Sequence, residues 1–152
     1  MAGRTGKPLT RVPAFWDASA LVPLCVRQRV TRRAIVLYKT YDPVVWWSTP
    51  LEIANALARL VRMNQLDTRD WAKAAKLARS LAGWWSVIQP SDALRASSMQ
   101  LVDRYDLRAA DSLQLAAALE WCEHAPQGRI FLTTDQKLRE AALLSGFDAK
   151  PM

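Results

Sequence analysis

The 152-residue sequence contains one histidine, two cysteines and no long hydrophobic run. His124 alone cannot form a metal cluster, and the ligands that a zinc site needs are lacking. No apolar signal-peptide core follows the polar N-terminus, so Cys25 and Cys122 are expected to be reduced thiols in a cytoplasmic protein. No apolar stretch approaches the ~18 residues of a membrane span, and we therefore expect no contact with a membrane.

Acidic residues are in the minority, with 14 Asp and Glu against 21 Lys and Arg and a net charge of +7. This surplus favours a polyanionic partner such as RNA, or an acidic protein segment. The alternative is an arginine-rich proteome, since the basic residues look scattered rather than gathered in one run. Length and composition predict one globular domain over residues 12–152, preceded by a mobile basic leader over residues 1–11.

Short apolar strands alternate with helices along the chain. Strands are predicted at 12–16, 43–48 and 129–135, with shorter ones within 84–90 and 147–150. Helices are predicted to begin near residues 18, 31, 50, 68, 92, 107 and 136. Such alternation predicts an α/β fold in which helices cover both faces of a central parallel sheet, giving three α/β/α layers.

The stretch 107–119 is apolar or small almost all the way round a helix, yet it carries Asp111 near its start. A helix without a polar face is buried. A buried carboxylate needs a hydrogen-bonding partner or a metal ion, which other parts of the chain must supply. The alternative is that Asp111 only complements the helix dipole, an effect of roughly 0.3 to 1 kcal/mol.

Three more acids lie just after a predicted strand or in a first helical turn: Asp17, Glu52 and Asp135. Each has a structural alternative, because Asp17 and Asp135 suit helix N-caps and Glu52 suits a capping box opened by Thr49. Strand C-termini share one edge of a parallel sheet, where ligands bind. Four carboxylates gathered there with Asp111 would need cations, and oxygen ligands suit Mg²⁺ or Mn²⁺.

The helix that follows Glu52 carries a polar stripe, in which Asn55, Arg59 and Arg62 recur at helical spacing. If this stripe lines a cleft, Arg59 and Arg62 are placed to bind RNA phosphates. If it faces water, they belong to a solvated surface. Seven tryptophans, including the pairs 46–47 and 84–85, raise a similar choice between base stacking, core packing and an interface. We favour an interface, and therefore a homodimer.

Four stretches carry the acids: 15–21 (FWDASAL), 52–57 (EIANAL), 107–116 (LRAADSLQLA) and 132–138 (LTTDQKL). In sequence and order they resemble the four acidic motifs of PIN-domain nucleases, and they are most similar to the VapC-type toxins of bacterial toxin–antitoxin pairs. The resemblance covers about residues 12 to 150. The two tryptophan pairs match no motif of the family.

The resemblance implies a metal-dependent endoribonuclease, the toxin of a type II pair, neutralised by a cognate antitoxin. The net charge of +7 and the stripe with Arg59 and Arg62 predict that a tail of this antitoxin would occupy a cleft lined by the stripe and disturb the metal site. Its implied catalytic and metal-binding residues are Asp17, Glu52, Asp111 and Asp135, with one or two Mg²⁺ or Mn²⁺ ions as cofactor. Ser19 and Thr133 are expected to donate hydrogen bonds to these carboxylates. The alternative is a catalytically silent PIN-like module that binds RNA or protein.

Overall fold

The structure, a computed structural model, describes residues 4–5 and 11–152. Its strands are β1 (Arg4–Thr5), β2 (Val12–Trp16), β3 (Tyr41–Trp46), β4 (Ser86–Ile88), β5 (Ile130–Leu132) and β6 (Asp148–Lys150). They form one sheet in the order β1-β4-β3-β2-β5-β6. Strands β2 to β6 run parallel, and β1 pairs with β4 in the antiparallel sense.

The helices connect these strands. They are α1 (Ala18–Cys25), α2 (Thr31–Thr40), α3 (Thr49–Arg62), α4 (Thr68–Ala82), α5 (Asp92–Tyr105), α6 (Ala109–Trp121) and α7 (Gln136–Ser145). Residues of α1 to α4 pack on one face of the sheet, while residues of α5 to α7 pack on the other. The predicted three-layer α/β/α fold with a central parallel sheet is confirmed.

Alternation along the strands divides the core into two apolar clusters. Phe15 points into the cluster under α5 to α7, where its ring stacks on Phe131 at a centroid distance of 5.3 Å. Its neighbours Ala14 and Trp16 point into the cluster under α1 to α4. Because consecutive strand residues face opposite sides, both faces of these central strands are apolar, as expected for a sheet that is buried on both sides.

The apolar stretch around Asp111 forms α6, which packs against the sheet with its central residues, from Gln114 to Ala118, fully buried. Its first residues, Ala109 and Ala110, are exposed, and Asp111 is half-buried. The helix is buried along its centre, as predicted, whereas the predicted burial of the acid holds only in part, because the first turn is open to solvent. Among the described residues, no helix is both long and apolar enough to cross a membrane.

Most of the predicted leader, residues 1–3 and 6–10, lies outside the described residues. Arg4–Thr5 form an edge strand that the sequence analysis missed, because two residues carry no detectable alternation. Arg11 is anchored to β3 and to the end of α2: its Nε donates to Asp42 Oδ1 at 2.9 Å and its Nη1 donates to the carbonyl of Tyr38 at 2.8 Å.

Candidate active site

A cleft of about 420 Å³ opens beside the carboxyl ends of β2 and β5. All four acids singled out in the sequence line it: Asp17, Glu52, Asp111 and Asp135. They come from the end of β2, the first turn of α3, the first turn of α6 and the N-cap of α7. The topology therefore brings together side chains from four separate stretches of sequence.

Basic and polar side chains share this acidic cleft. Asn55 and Arg59 of the α3 stripe line it, as do Ser19 and Arg108. Arg62, one turn further along α3, is exposed and lies outside the lining. The stripe thus borders the cleft over its first two turns and faces solvent beyond them, so the two sequence-based alternatives for it each hold over part of its length.

Asp17 is the most deeply placed of the four acids, with 4% of its surface exposed. It occupies the N-cap position of α1 but makes no capping hydrogen bond, which excludes the capping role for its side chain. Instead, its Oδ2 accepts hydrogen bonds from the hydroxyls of Ser19 and Thr133, the latter at 2.9 Å. The other carboxylate oxygen, Oδ1, takes part in neither bond.

Burial raises the pKa of Asp17 to about 6 from its ordinary 3.8, because the charged form loses hydration. The two hydroxyl donors oppose this rise, while the negative charges of Glu52 and Asp111 add to it. Asp17 is therefore ionised at neutral pH, but in a setting where a bound cation would be strongly favourable.

The Glu52 carboxylate is held by side chains rather than by backbone. Its Oε1 accepts from Ser48 Oγ at 2.8 Å and from Gln114 Nε2 at 3.1 Å. The predicted capping box is wrong, since α3 begins at Thr49 and Thr49 is not its N-cap. Burial raises the pKa of Glu52, the donors Ser48 and Gln114 oppose the rise, and the charge of Asp111 adds to it.

Asp111 lies at the accessible end of α6, where Arg108 Nε contacts its Oδ2 at 3.3 Å. Burial raises its pKa and the charge of Asp135 raises it further, whereas Arg108 opposes both effects. Asp135 does cap a helix, because its Oδ1 accepts from Leu138 N at 2.8 Å. Its N-capping role and its place in the cleft are thus both real, and neither excludes the other.

Two hydroxyls tie the β5 end of the cleft to α1. Thr133 Oγ1 donates to Asp17 and accepts from Asp135 N at 3.0 Å. Ser19 Oγ donates to Asp17 and accepts from Thr134 N at 3.0 Å. Each hydroxyl has one proton and directs it at the same carboxylate oxygen, so this network fixes the position of Asp17 relative to β5.

Gln114 is the polar side chain of the site that the sequence analysis missed. It is completely buried, and its Nε2 donates to Thr49 Oγ1 at 3.3 Å as well as to Glu52. Its Oε1 is buried and has no hydrogen-bonding partner in the described part of the chain. An amide inside an apolar helix needs a hydrogen-bonding partner. The polar residue at position 114 of this apolar stretch is therefore the sequence signal that could have indicated its role, as it did for Asp111.

The tryptophan pairs divide between core and surface. Trp46 and Trp85 are buried, which corrects their assignment to an interface. Trp85 Nε1 donates to Tyr38 Oη at 3.1 Å. Trp47 and Trp84 lie at the surface, where they are 55% and 58% exposed.

The donor set of the cleft is made of carboxylate oxygens, which suits Mg²⁺ or Mn²⁺ rather than zinc. Within residues 4–5 and 11–152, no three Asp, Glu, His or Cys side chains lie close enough together to enclose a metal ion. Mg²⁺ commonly keeps several water ligands and takes only one or two carboxylates directly. An ion in this cleft would therefore bind one or two of the acids directly and the others through water.

Known structures share this fold. A chain from a toxin–antitoxin complex of Klebsiella pneumoniae superimposes with a TM-score of 0.56 at 18% identity, covering 82% of this chain and 88% of that one. PAE2754 from Pyrobaculum aerophilum gives a TM-score of 0.64 at 21% identity, covering 91% and 89%. The sequence matches no protein-family model and no curated protein. At these identities the likeness is one of fold.

Proposed function

We propose that the protein is an Mg²⁺- or Mn²⁺-dependent endoribonuclease whose catalytic residues are Asp17, Glu52, Asp111 and Asp135. The observation that carries the proposal is the convergence of these four carboxylates on one cleft that also presents Arg59. Carboxylates in such number suit a divalent cation, and a guanidinium beside them suits a phosphodiester.

The four acids would hold the ion directly or through water, and Asp17 would be the deepest ligand. When bound, the ion would supply a water molecule of lowered pKa and would stabilise charge on the phosphorane-like transition state. Arg59 and Arg108 border the same space and would neutralise and orient the phosphate. Ser19 and Thr133 would keep the Asp17 carboxylate oriented. Water serves as the nucleophile in this scheme.

The test is a cleavage assay on mixed RNA with the purified protein in EDTA, Mg²⁺ or Mn²⁺. Cleavage is expected only with the divalent ions, and it should fall by at least about 100-fold in Asp17→Asn. The control is Asp103→Asn, because Asp103 is an exposed acid on α5, outside the lining of the cleft. Cleavage that persists in EDTA or survives Asp17→Asn would contradict the proposal.

We also propose that this nuclease is the toxin of a type II pair and binds an antitoxin. Support comes from the likeness in fold to a chain of a toxin–antitoxin complex, and from the net charge of +7, which suits an acidic tail. Co-expression with the protein of the neighbouring reading frame should yield a complex that no longer cuts RNA.

We further propose a homodimer in which Trp47 or Trp84 is covered, and sedimentation of the Trp47→Ser and Trp84→Ser variants tests it.

A silent binding module is the second candidate. Two observations favour it: Asp111 is in contact with a guanidinium, and no trio of potential ligands in the described part of the chain is close enough to enclose an ion. Such a module would bind RNA equally well with and without Mn²⁺ and would show no metal-dependent rise in melting temperature. The nuclease predicts both a rise in melting temperature and turnover.

A further inference from the structure

A second cleft, of about 600 Å³, adjoins the acidic one at the turn between α1 and α2. We call it the basic cleft, because Arg27, Arg29 and Arg32 line it. Gln28 lines both clefts. The two cavities are therefore neighbours, with Gln28 in the wall of both.

The arginines of the basic cleft are exposed and uncompensated. Elsewhere on the surface Arg95 pairs with Asp92 and Lys137 with Asp106. Arg27, Arg29 and Arg32 have no ion-pair partner within the described ranges 4–5 and 11–152. Although basic residues are spread along the whole sequence, residues 27–33 thus concentrate positive charge, to which Arg33 adds a fourth guanidinium. The surface attracts anions.

The turn that carries these arginines is held in shape by Thr31. Its Oγ1 donates to the Pro23 carbonyl at 2.8 Å and accepts from Gln28 N at 2.8 Å, while its own N–H donates to the Gln28 carbonyl at 3.1 Å. A turn closed by three hydrogen bonds presents its side chains from a fixed backbone. Binding there loses less conformational entropy than binding to a mobile tail.

We propose that the basic cleft binds the sugar–phosphate backbone of a single-stranded RNA next to the phosphate held in the acidic cleft. This inference rests on the proposed nuclease function, and it defines the substrate as a single strand that crosses Gln28. Arg27, Arg29 and Arg32 would contact phosphates, since the guanidinium fork matches phosphate oxygens.

The adjacent positions of the two clefts favour RNA over an acidic peptide. A nucleic acid that places one phosphate beside the four carboxylates must carry its neighbouring phosphates out of a negative site, and the basic cleft lies where it would emerge. Asp17 is only 4% exposed, so the reacting phosphate has to enter a recess. A flexible single strand can bend into a recess that a stiff duplex cannot reach.

Binding can be measured without cleavage by fluorescence anisotropy in EDTA, with a labelled single-stranded RNA of about twelve nucleotides. The variant Arg27→Gln/Arg29→Gln/Arg32→Gln, which we call the loop variant, should bind this RNA at least about tenfold more weakly than the parent. The slope of log K against log salt should become shallower by about 2, at roughly 0.7 per lost phosphate contact on a single strand.

The matched control is Arg69→Gln/Lys76→Gln/Arg79→Gln, which removes the same charge from exposed positions on α4. It should change affinity by less than about threefold. If the loop variant unfolds, the three single variants Arg27→Gln, Arg29→Gln and Arg32→Gln replace it. Each should change the slope of log K against log salt by about 0.7.

Three results would overturn the inference: equal loss in both triple variants, no loss in the loop variant, or parental binding of polyglutamate that the loop variant loses while RNA binding is unchanged. The last result would assign the cleft to an acidic protein segment. The two proposals fail separately. Loss of RNA binding in the loop variant with no cleavage by the parent would refute the nuclease and keep the RNA surface, whereas normal binding by the variant with metal-dependent cleavage would do the reverse.

Discussion

Replacing Asp17 with asparagine should stabilise the protein when no divalent metal is present. Burial holds the pKa of this carboxyl at about 6, against an ordinary 3.8. At about 1.4 kcal/mol per pH unit, this difference means that ionised Asp17 lowers the free energy of unfolding by about 3 kcal/mol relative to a neutral side chain. Asparagine cannot ionise, and its carbonyl oxygen can still accept from Ser19 and Thr133.

The pH dependence follows from the direction of the shift. Because the folded-state pKa of Asp17 is raised, protonation favours the folded state, and that gain is complete below about 3.8 and lost as the pH rises through about 6. The free energy of unfolding of Asp17→Asn should therefore exceed that of the parent by about 3 kcal/mol at pH 7.5, by about 1.5 kcal/mol near pH 5 and by less than about 1 kcal/mol near pH 4.

Urea unfolding in EDTA across this pH range measures the difference directly. Saturating Mn²⁺ should then reduce the difference in free energy of unfolding between variant and parent, since the ion binds the folded parent better than the folded variant. Asp103→Asn is the control and should differ from the parent by an amount that does not change with pH. An Asp17→Asn protein that is less stable than the parent at pH 7.5 in EDTA would refute the reasoning.

Three further changes test neighbouring parts of the site. Glu52→Gln should keep the fold, because the amide oxygen still accepts from Ser48, while RNA cleavage falls by at least about 100-fold; unfolding in the melt would contradict this. Asp111→Asn should leave the metal-free protein equally or more stable, abolish cleavage and shrink the Mn²⁺-induced rise in melting temperature. If Asp111→Asn instead lowers the free energy of unfolding by up to about 1 kcal/mol and keeps the Mn²⁺-induced rise in melting temperature, the result would favour the helix-dipole role. Gln114→Glu should destabilise the protein at neutral pH, because it sets a second carboxylate beside Glu52, and urea unfolding should show recovery on acidification.

The fold could be predicted because its signals are local and repeated. A short continuous apolar run marks β2, and helix caps such as Ser91, which accepts from Leu94 N, mark where helices begin. The acids could be predicted from their position at strand ends and first turns, since a parallel sheet brings all such positions to one edge. These inferences need only the order of elements, and the order is written in the sequence.

Contacts between distant side chains could not be predicted in the same way. Nothing in the spacing indicates that Gln114 meets Glu52, because the contact joins residues 62 positions apart, on two helices that lie on opposite faces of the sheet. The capping box failed for a related reason: Ser48 and Thr49 both suit an N-cap, and tertiary contacts chose between them. The different burial of Trp46 and Trp47 could have been predicted, since strand alternation alone places their side chains on opposite sides.

The buried position of Asp17 links the stability of the fold to the chemistry of the cleft. Its backbone N–H donates to the Leu132 carbonyl at 2.9 Å, and its side chain is bound by Thr133, so β2 and β5 fix it from two directions. The apolar clusters on both faces of these strands exclude water from the carboxylate and raise its pKa. The same exclusion would strengthen its attraction for a cation, because charges interact more strongly where water cannot screen them. A residue that weakens the metal-free fold is thus the one best placed to bind metal, and stability in EDTA should trade against metal affinity at this position.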